Sequence, residues 1–101
     1  MVPRNLTEGA VREFQAIIKD SRDDGPKTAR ELQAKLLDRF KAIAEGRGFG
    51  HRRDDAPFDP RFRFLNVRPY PFVIIYDKET RVVLRIIHGA RDCRNVTLDD
   101  G

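Results

Sequence analysis

Two arginines and a histidine near the end of the chain are the side chains best suited to chemistry. Arg85, His88 and Arg91 recur at every third residue within R-I-I-H-G-A-R-D, residues 85–92. Cleavage of RNA through its 2′-hydroxyl needs a general base, a general acid and positive charge around the phosphate. An imidazole titrates near neutral pH, so His88 is a candidate acid or base. If the protein is a nuclease, these three residues are its predicted catalytic set.

The same residues also have a structural interpretation. His88 could end a strand and hydrogen-bond a neighbouring backbone or carboxylate group. Beyond Asp92, Tyr70 and Tyr76 no second titrating partner is obvious, and Asp92 is better explained by pairing with Arg91 or Arg85 or by capping a following turn. No Cys/His spacing suggests a metal site, and no glycine-rich loop has phosphate-binding spacing. The sequence therefore predicts neither a metal nor any other cofactor.

Arginine dominates the positive charge, with 15 arginines against 5 lysines and a net charge of +4. A guanidinium offers a flat donor fork for carboxylates and phosphates. Between Arg61 and Arg94 the net charge is +5, which suits a nucleic-acid surface or a docking face for an acidic partner. A solvated sheet edge kept soluble by charge explains the pattern equally well. The residues predicted to face a target are Arg61, Arg63, Arg68, Arg85 and Arg91.

Two amphipathic helices should precede the strands that carry these residues. Thr7 is a suitable N-cap for a first helix, which the turn Asp23–Pro26 should end. A second helix carries apolar residues every three or four positions from Ala29 to Ile43, and Gly46 supplies its stop. Such a short Gly-Pro connection favours an antiparallel helical hairpin.

Three strands are expected at Phe62–Val67, Phe72–Tyr76 and Val82–Ile87, the last two forming an antiparallel hairpin. Val2–Leu6 is a further short candidate, and its Pro3 argues for an edge position. The order β-α-α-β-β-β predicts one α+β domain over residues 1–101, with the helical hairpin packed on one face of a small antiparallel sheet. Arg47–Pro60 reads as a long exposed connection.

Both faces of the predicted hairpin are apolar. In Phe72–Tyr76 both alternating sets of side chains are apolar, and Val82–Ile87 nearly repeats the pattern. Either a strongly twisted sheet buries part of both faces itself, or a partner chain covers the second face. The sequence leaves both possibilities open.

The C-terminal third of the chain resembles the RelE/ParE superfamily of type II toxin-antitoxin systems. Val67–Tyr76 is similar to the family's third-strand pattern, in which a segment rich in Pro and Tyr leads into an apolar strand ending in Tyr. The motif H-G-A-R-D at residues 88–92 looks most like the ParE branch. The helical hairpin agrees in layout rather than in distinctive residues, and Arg47–Asp59 does not align.

The resemblance implies a toxin that a cognate antitoxin keeps inactive by covering its apolar groove and sheet. In the ParE branch the implied target is DNA gyrase, and in the RelE branch the implied activity is mRNA cleavage within the ribosome. The RelE pattern of several basic residues and a C-terminal tyrosine is missing after Arg94. Gyrase inhibition is therefore preferred, with mRNA cleavage or a non-toxic binding module as alternatives. The predicted antitoxin contacts are Phe14, Ile18, Leu36, Phe40, Val73 and Ile75.

The remaining composition favours a cytoplasmic protein, and the resemblance implies a hetero-oligomer with its antitoxin. A single cysteine, Cys93, fits a reducing compartment. No apolar run approaches the roughly 20 residues that a membrane span needs, and Met1–Thr7 has no signal-peptide character. A membrane partner is therefore not expected.

Overall fold

A computed structural model describes residues 4–48, 50 and 61–89. Two helices precede three strands in the chain, and the strands form one sheet in the order β1-β2-β3 with both pairs antiparallel. This confirms the predicted α+β fold. The elements are α1 Glu8–Ser21, a 3₁₀ turn at Arg22–Asp24, α2 Pro26–Ala44, β1 Phe62–Asn66, β2 Phe72–Asp77 and β3 Val82–His88.

The first helix begins at the predicted N-cap. The Thr7 hydroxyl accepts a hydrogen bond from the Ala10 N–H at 3.1 Å, which satisfies one of the free donors of the first turn. The same hydroxyl donates to the Leu84 carbonyl at 3.0 Å. One side chain therefore starts α1 and attaches it to β3.

The second helix begins and ends through backbone chemistry. Pro26 occupies its first turn, where a missing N–H costs nothing. At the other end Gly46 has φ +82°. Its N–H donates to the Ile43 carbonyl at 3.1 Å, and the Arg47 N–H donates to the Ala42 carbonyl at 2.7 Å. These two hydrogen bonds, together with a glycine in the left-handed conformation, form a Schellman motif. The motif explains why α2 ends where the sequence predicts.

The main core lies between the helices and the sheet; α1 packs chiefly on β3, whereas α2 packs chiefly on α1 and also contacts β3. The Phe14 and Phe40 rings meet edge to face with centroids 5.4 Å apart, a favourable aromatic arrangement. Buried side chains of both layers surround this pair; they are Ala10, Ile18, Leu32, Leu36, Ile43, Val67, Ile74, Tyr76, Val83 and Ile86.

A second, smaller core covers the other face of the sheet. Its members are at most 7% exposed; they are Phe64, Val73, Ile75 and Ile87. Cross-strand neighbours pair within it, Phe64 opposite Ile75 and Val73 opposite Ile87. These four side chains are buried within the single chain.

A bulge in β3 places two of its apolar side chains on the same, helix-facing side of the sheet. Ile75 lies opposite Arg85 and Tyr76 lies opposite Val83, so one extra residue, Leu84, is inserted in β3. Val83 and Ile86 are three residues apart yet both join the helix-facing core. A regular strand would send them to opposite faces.

Among the described residues of the predicted N-terminal strand, Leu6 forms a parallel bridge with Val83. The Val83 N–H donates to the Asn5 carbonyl at 2.7 Å, and the Thr7 N–H donates to the Val83 carbonyl at 3.0 Å. Residues 2 and 3 of the predicted strand lie outside the described part of the chain. The bridge lies at the outer edge of β3, and Pro3 in the sequence favours such an edge position.

Candidate functional site

Arg85, the first residue of the predicted catalytic set, joins α1 to β3. Its Nε donates to the Glu13 carboxylate at 3.0 Å and its Nη2 at 2.8 Å. The same carboxylate accepts the Ile86 N–H at 3.0 Å, a donor at the outer edge of the sheet. Both side chains are less than one third exposed. A forked arginine–carboxylate pair is among the stronger polar contacts in proteins, so Arg85 has a structural role in this fold.

His88 lies exposed at the end of β3, opposite Phe72 in the ladder. The two rings meet edge to face with centroids 5.8 Å apart. The next residue, Gly89, has φ +48°, and an added Cβ would lie 3.2 Å from the Pro71 carbonyl oxygen. The glycine of H-G-A-R-D therefore allows the β1–β2 connection to pass close to the end of β3.

The described residues do not gather the predicted catalytic set around His88. Three residues along a strand separate Arg85 from His88 by about 10 Å between Cα atoms, and the Arg85 guanidinium is engaged by Glu13. Tyr76 is buried, and its hydroxyl accepts the Gly50 N–H at 2.8 Å. Arg91 and Asp92 lie outside the described residues. The catalytic assignment stays a prediction.

The arginines predicted to face a target differ in their exposure. Arg61 pairs with the nearly fully buried Asp77 at 3.0 Å, and its guanidinium lies 5.4 Å from the centroid of the Phe62 ring. Arg63 is half-buried and donates to the Phe62 carbonyl at 3.0 Å. Arg68 is exposed in the β1–β2 connection. Of the described arginines in this set, Arg68 is therefore the most accessible to a target.

Sequence reasoning missed the enclosure of Tyr76 by two glycines. A Cβ at Gly48 would lie 2.7 Å from the Tyr76 hydroxyl oxygen, and a Cβ at Gly50 would lie 2.8 Å from its ring. Such approaches leave room only for glycine. The available signal was the alternation G-R-G-F-G at residues 46–50, which indicates close backbone packing but does not identify the partner.

The six predicted antitoxin contacts are all buried in this chain, with exposed fractions of 0–7%. Leu36, Phe40 and Ile75 have no exposed surface, so a partner could touch them only after the layers moved apart. Phe14 and Ile18 differ, because they also line an open groove of about 310 Å³. We call this the helix groove; it is lined by Phe14, Gln15, Ile18, Lys19, Arg22 and Gln33.

Just beyond α2, an exposed ion pair changes two pKa values. The side-chain hydrogen bond from Arg47 holds the pKa of the Glu45 carboxyl below its ordinary value of 4.5. The same bond raises the pKa of the Arg47 guanidinium. The pair lies where the connection after α2 begins.

Two further properties concern the described residues alone. Neither α1 nor α2 is long and apolar enough to cross a lipid bilayer. Within residues 4–48, 50 and 61–89, histidine, cysteine and carboxylate side chains do not cluster in a way that could hold a metal ion.

A known protein family matches most of the chain. Residues 5–93 match the family described as ParE toxin of type II toxin-antitoxin system, parDE. The chain belongs to the ParE toxin family. The match spans α1, α2 and the connection between α2 and β1, as well as the C-terminal motif. Membership implies an antitoxin partner of the type II kind. No curated protein and no solved structure matches the chain.

Proposed function

We propose that this ParE-family toxin inhibits DNA gyrase by binding to it, in the cytoplasm, and that a cognate antitoxin neutralises it. The family match over residues 5–93 carries the proposal. Inhibition by binding needs a surface rather than an assembled set of acid, base and phosphate-binding groups. The contact between Arg85 and Glu13 supports inhibition by binding, because the guanidinium of Arg85 then has a structural role in joining α1 to β3.

A supercoiling assay tests this proposal. Gyrase acts on relaxed plasmid in the presence of toxin that has been freed of antitoxin. We expect supercoiling to stop and cleaved DNA to accumulate, and we expect added antitoxin to restore the activity. Full supercoiling at an excess of folded toxin would contradict gyrase as the target. The same preparation added to a translating ribosome extract then tests mRNA cleavage, and inactivity in both assays would favour a non-toxic binding module.

His88→Ala separates the binding mechanism from the catalytic one. His88 is exposed and contacts the half-buried Phe72, so its removal should leave the fold intact. Binding-based inhibition should tolerate the change, and growth arrest should persist. A nuclease that uses His88 as acid or base would lose roughly 10²–10⁴-fold in rate. Arrest that disappears while the variant remains folded would revive the catalytic interpretation.

A further inference from the structure

Three separate parts of the chain bring exposed cations together at the C-terminal end of α2. The Asn5 side-chain amide donates to the Phe40 carbonyl at 3.0 Å and to the Arg81 carbonyl at 3.2 Å. The exposed Arg4 directly precedes Asn5 in the chain, so it lies beside both segments. Lys41 is exposed in the last turn of α2. We call the set Arg4, Lys41 and Arg81 the cationic end.

The end of α2 itself holds Arg81 in place. Its Nη1 donates to the Ala44 carbonyl over a long 3.4 Å, and an added Cβ at Gly46 would lie 3.1 Å from its Nη2. Cations near the C-terminus of a helix also interact favourably with the helix macrodipole. A carbonyl is a neutral partner, so this contact positions the guanidinium and leaves its positive charge uncancelled.

The carboxylates near the cationic end are balanced by other cations. Glu45 forms an ion pair with Arg47, and Glu79 directly follows Lys78 in the β2–β3 turn. Among the described residues, the ion pairs do not include any member of the cationic end. Three positive charges are therefore available to an anionic partner on this surface.

We propose that the cationic end binds the phosphate backbone of duplex DNA. Cations that neutralise phosphates release the counterions condensed on DNA, and this gives binding that does not depend on base sequence. The inference goes beyond inhibition of gyrase, because the contact is with DNA and needs no enzyme. If the proposed function is also correct, the toxin contacts the DNA that gyrase carries as well as gyrase itself.

The composition of the cationic end favours DNA over an acidic protein as the partner. The centre of a protein interface is depleted in charged residues and enriched in aromatic side chains. Within residues 4–6, 41–47 and 78–82, all of which the structure describes, the only exposed apolar side chain is that of Ala44. Phosphate groups require cations and no apolar anchor, so this surface has the chemistry that they need.

Fluorescence anisotropy of a short labelled duplex tests the proposal directly. The full-length toxin, freed of antitoxin, is titrated into the duplex at a series of salt concentrations. We expect the logarithm of the binding constant to fall with the logarithm of salt concentration with a slope of about −3, from roughly 0.9 for each phosphate contact. Two duplexes of unrelated sequence should bind alike. Absence of binding at low salt would overturn the proposal.

A pair of substitutions in the cationic end has a closely matched control. Arg4→Gln/Lys41→Gln should weaken DNA binding roughly tenfold at low salt and reduce the salt slope by about 2. Lys27→Gln/Arg30→Gln also removes one lysine and one arginine, from exposed positions near the start of α2. Arg30 is roughly 16 Å from Lys41 along the helix axis, farther than the Debye length of about 10 Å at 0.1 M salt. We expect the control to keep its affinity within about threefold, and circular dichroism checks the fold of both variants.

The pattern of results separates this inference from the proposed function. Equal losses in the two variants would show that net charge alone attracts DNA and would overturn the proposal, as would unchanged binding in both. If the toxin binds DNA through the cationic end but leaves gyrase supercoiling intact, the inference stands and the proposed function fails. If the toxin inhibits gyrase without binding DNA, the proposed function stands and the inference fails. A loss of that inhibition in Arg4→Gln/Lys41→Gln would then assign the cationic end to an acidic protein surface.

Discussion

At the scale of single residues, one hydroxyl group binds the backbone of Gly50, which follows α2 in the chain. The Tyr76 hydroxyl accepts the Gly50 N–H at 2.8 Å from a buried position. Tyr76→Phe removes this acceptor and leaves a backbone donor without its partner, so we expect a loss of about 1 kcal/mol in the free energy of unfolding. Urea unfolding measures it.

Tyr70 is the natural control, because the chain has only two tyrosines. Tyr70 is half-buried, and none of the hydrogen bonds recorded between described residues uses its hydroxyl. Tyr70→Phe should change the free energy of unfolding by less than about 0.5 kcal/mol. Equal losses in the two variants would contradict a specific role for the Tyr76 hydroxyl.

Two glycines should respond to alanine in opposite directions. At Gly48 an added Cβ meets the Tyr76 hydroxyl oxygen at 2.7 Å, whereas at Gly9, inside α1, its nearest neighbour is 4.0 Å away. Gly48→Ala should destabilise the fold by about 1–3 kcal/mol through overpacking. Gly9→Ala should stabilise it by about 0.5–1 kcal/mol, since glycine is a poor helix former. Thermal unfolding of both variants measures these changes in stability. Stabilisation at both positions would show that Gly48 is not tightly packed against Tyr76.

The ion pair after α2 predicts a pH effect of known sign. The Arg47 hydrogen bond lowers the pKa of Glu45, so its stabilising effect is present above the unfolded-state pKa and is lost as the pH falls through the folded-state pKa. Arg47→Gln should bring the Glu45 carboxyl back toward 4.5, its ordinary value. A nuclear magnetic resonance titration of the side-chain carboxyl measures this. Arg12→Gln, on α1, serves as the control and should leave the titration unchanged.

At the scale of elements, the Glu13–Arg85 pair attaches α1 to β3. Glu13 satisfies the Arg85 guanidinium and the Ile86 N–H together. Glu13→Ala removes the acceptor that these two partly buried donors share, so we expect a loss of about 2–4 kcal/mol in the free energy of unfolding. The exposed pair of Asp38 with Arg39 gives the comparison. Asp38→Ala should cost less than about 1 kcal/mol, and similar losses in both variants would contradict the role of the Glu13 contact.

Local signals made the elements predictable. Thr7, the Gly25-Pro26 turn and Gly46 each act within a few residues, and the observed ends of α1 and α2 follow them. The contacts that the sequence did not reveal are distant. Glu13 and Arg85 are 72 residues apart, and Gly50 and Tyr76 are 26 apart. A periodic pattern identifies which face of an element is buried, but it does not identify which polar group lies opposite.

The candidate site was less predictable for the same reason. Residue types suggested chemistry for Arg85, yet its partner is on the other layer of the fold. Phe14 and Ile18, which the sequence suggests as antitoxin contacts, are buried, and the open groove beside them depends on polar neighbours from both helices. Sequence periodicity predicts which side chains are buried. A binding surface consists of exposed side chains, which periodicity does not identify.

At the scale of the whole molecule, stability rests on a small core in which few large side chains can be lost. Leu36 has no exposed surface, whereas its neighbour Leu37 is half-buried. Leu36→Ala should cost about 2–5 kcal/mol, a large part of the roughly 5–15 kcal/mol that stabilises a native domain. Leu37→Ala should cost about 1 kcal/mol. Urea unfolding compares them, and equal costs would contradict the packing described here.

The parallel bridge at the outer edge of β3 also determines when the chain can fold during synthesis. Asn5, Thr7 and Glu13 leave the ribosome early, but their partners on β3 follow about seventy residues or more later. Contacts this distant form late because the intervening chain must first be ordered. A nascent chain interrupted before Val82 would lack the strand that both helices contact. The helices therefore cannot complete their packing until β3 has been synthesised.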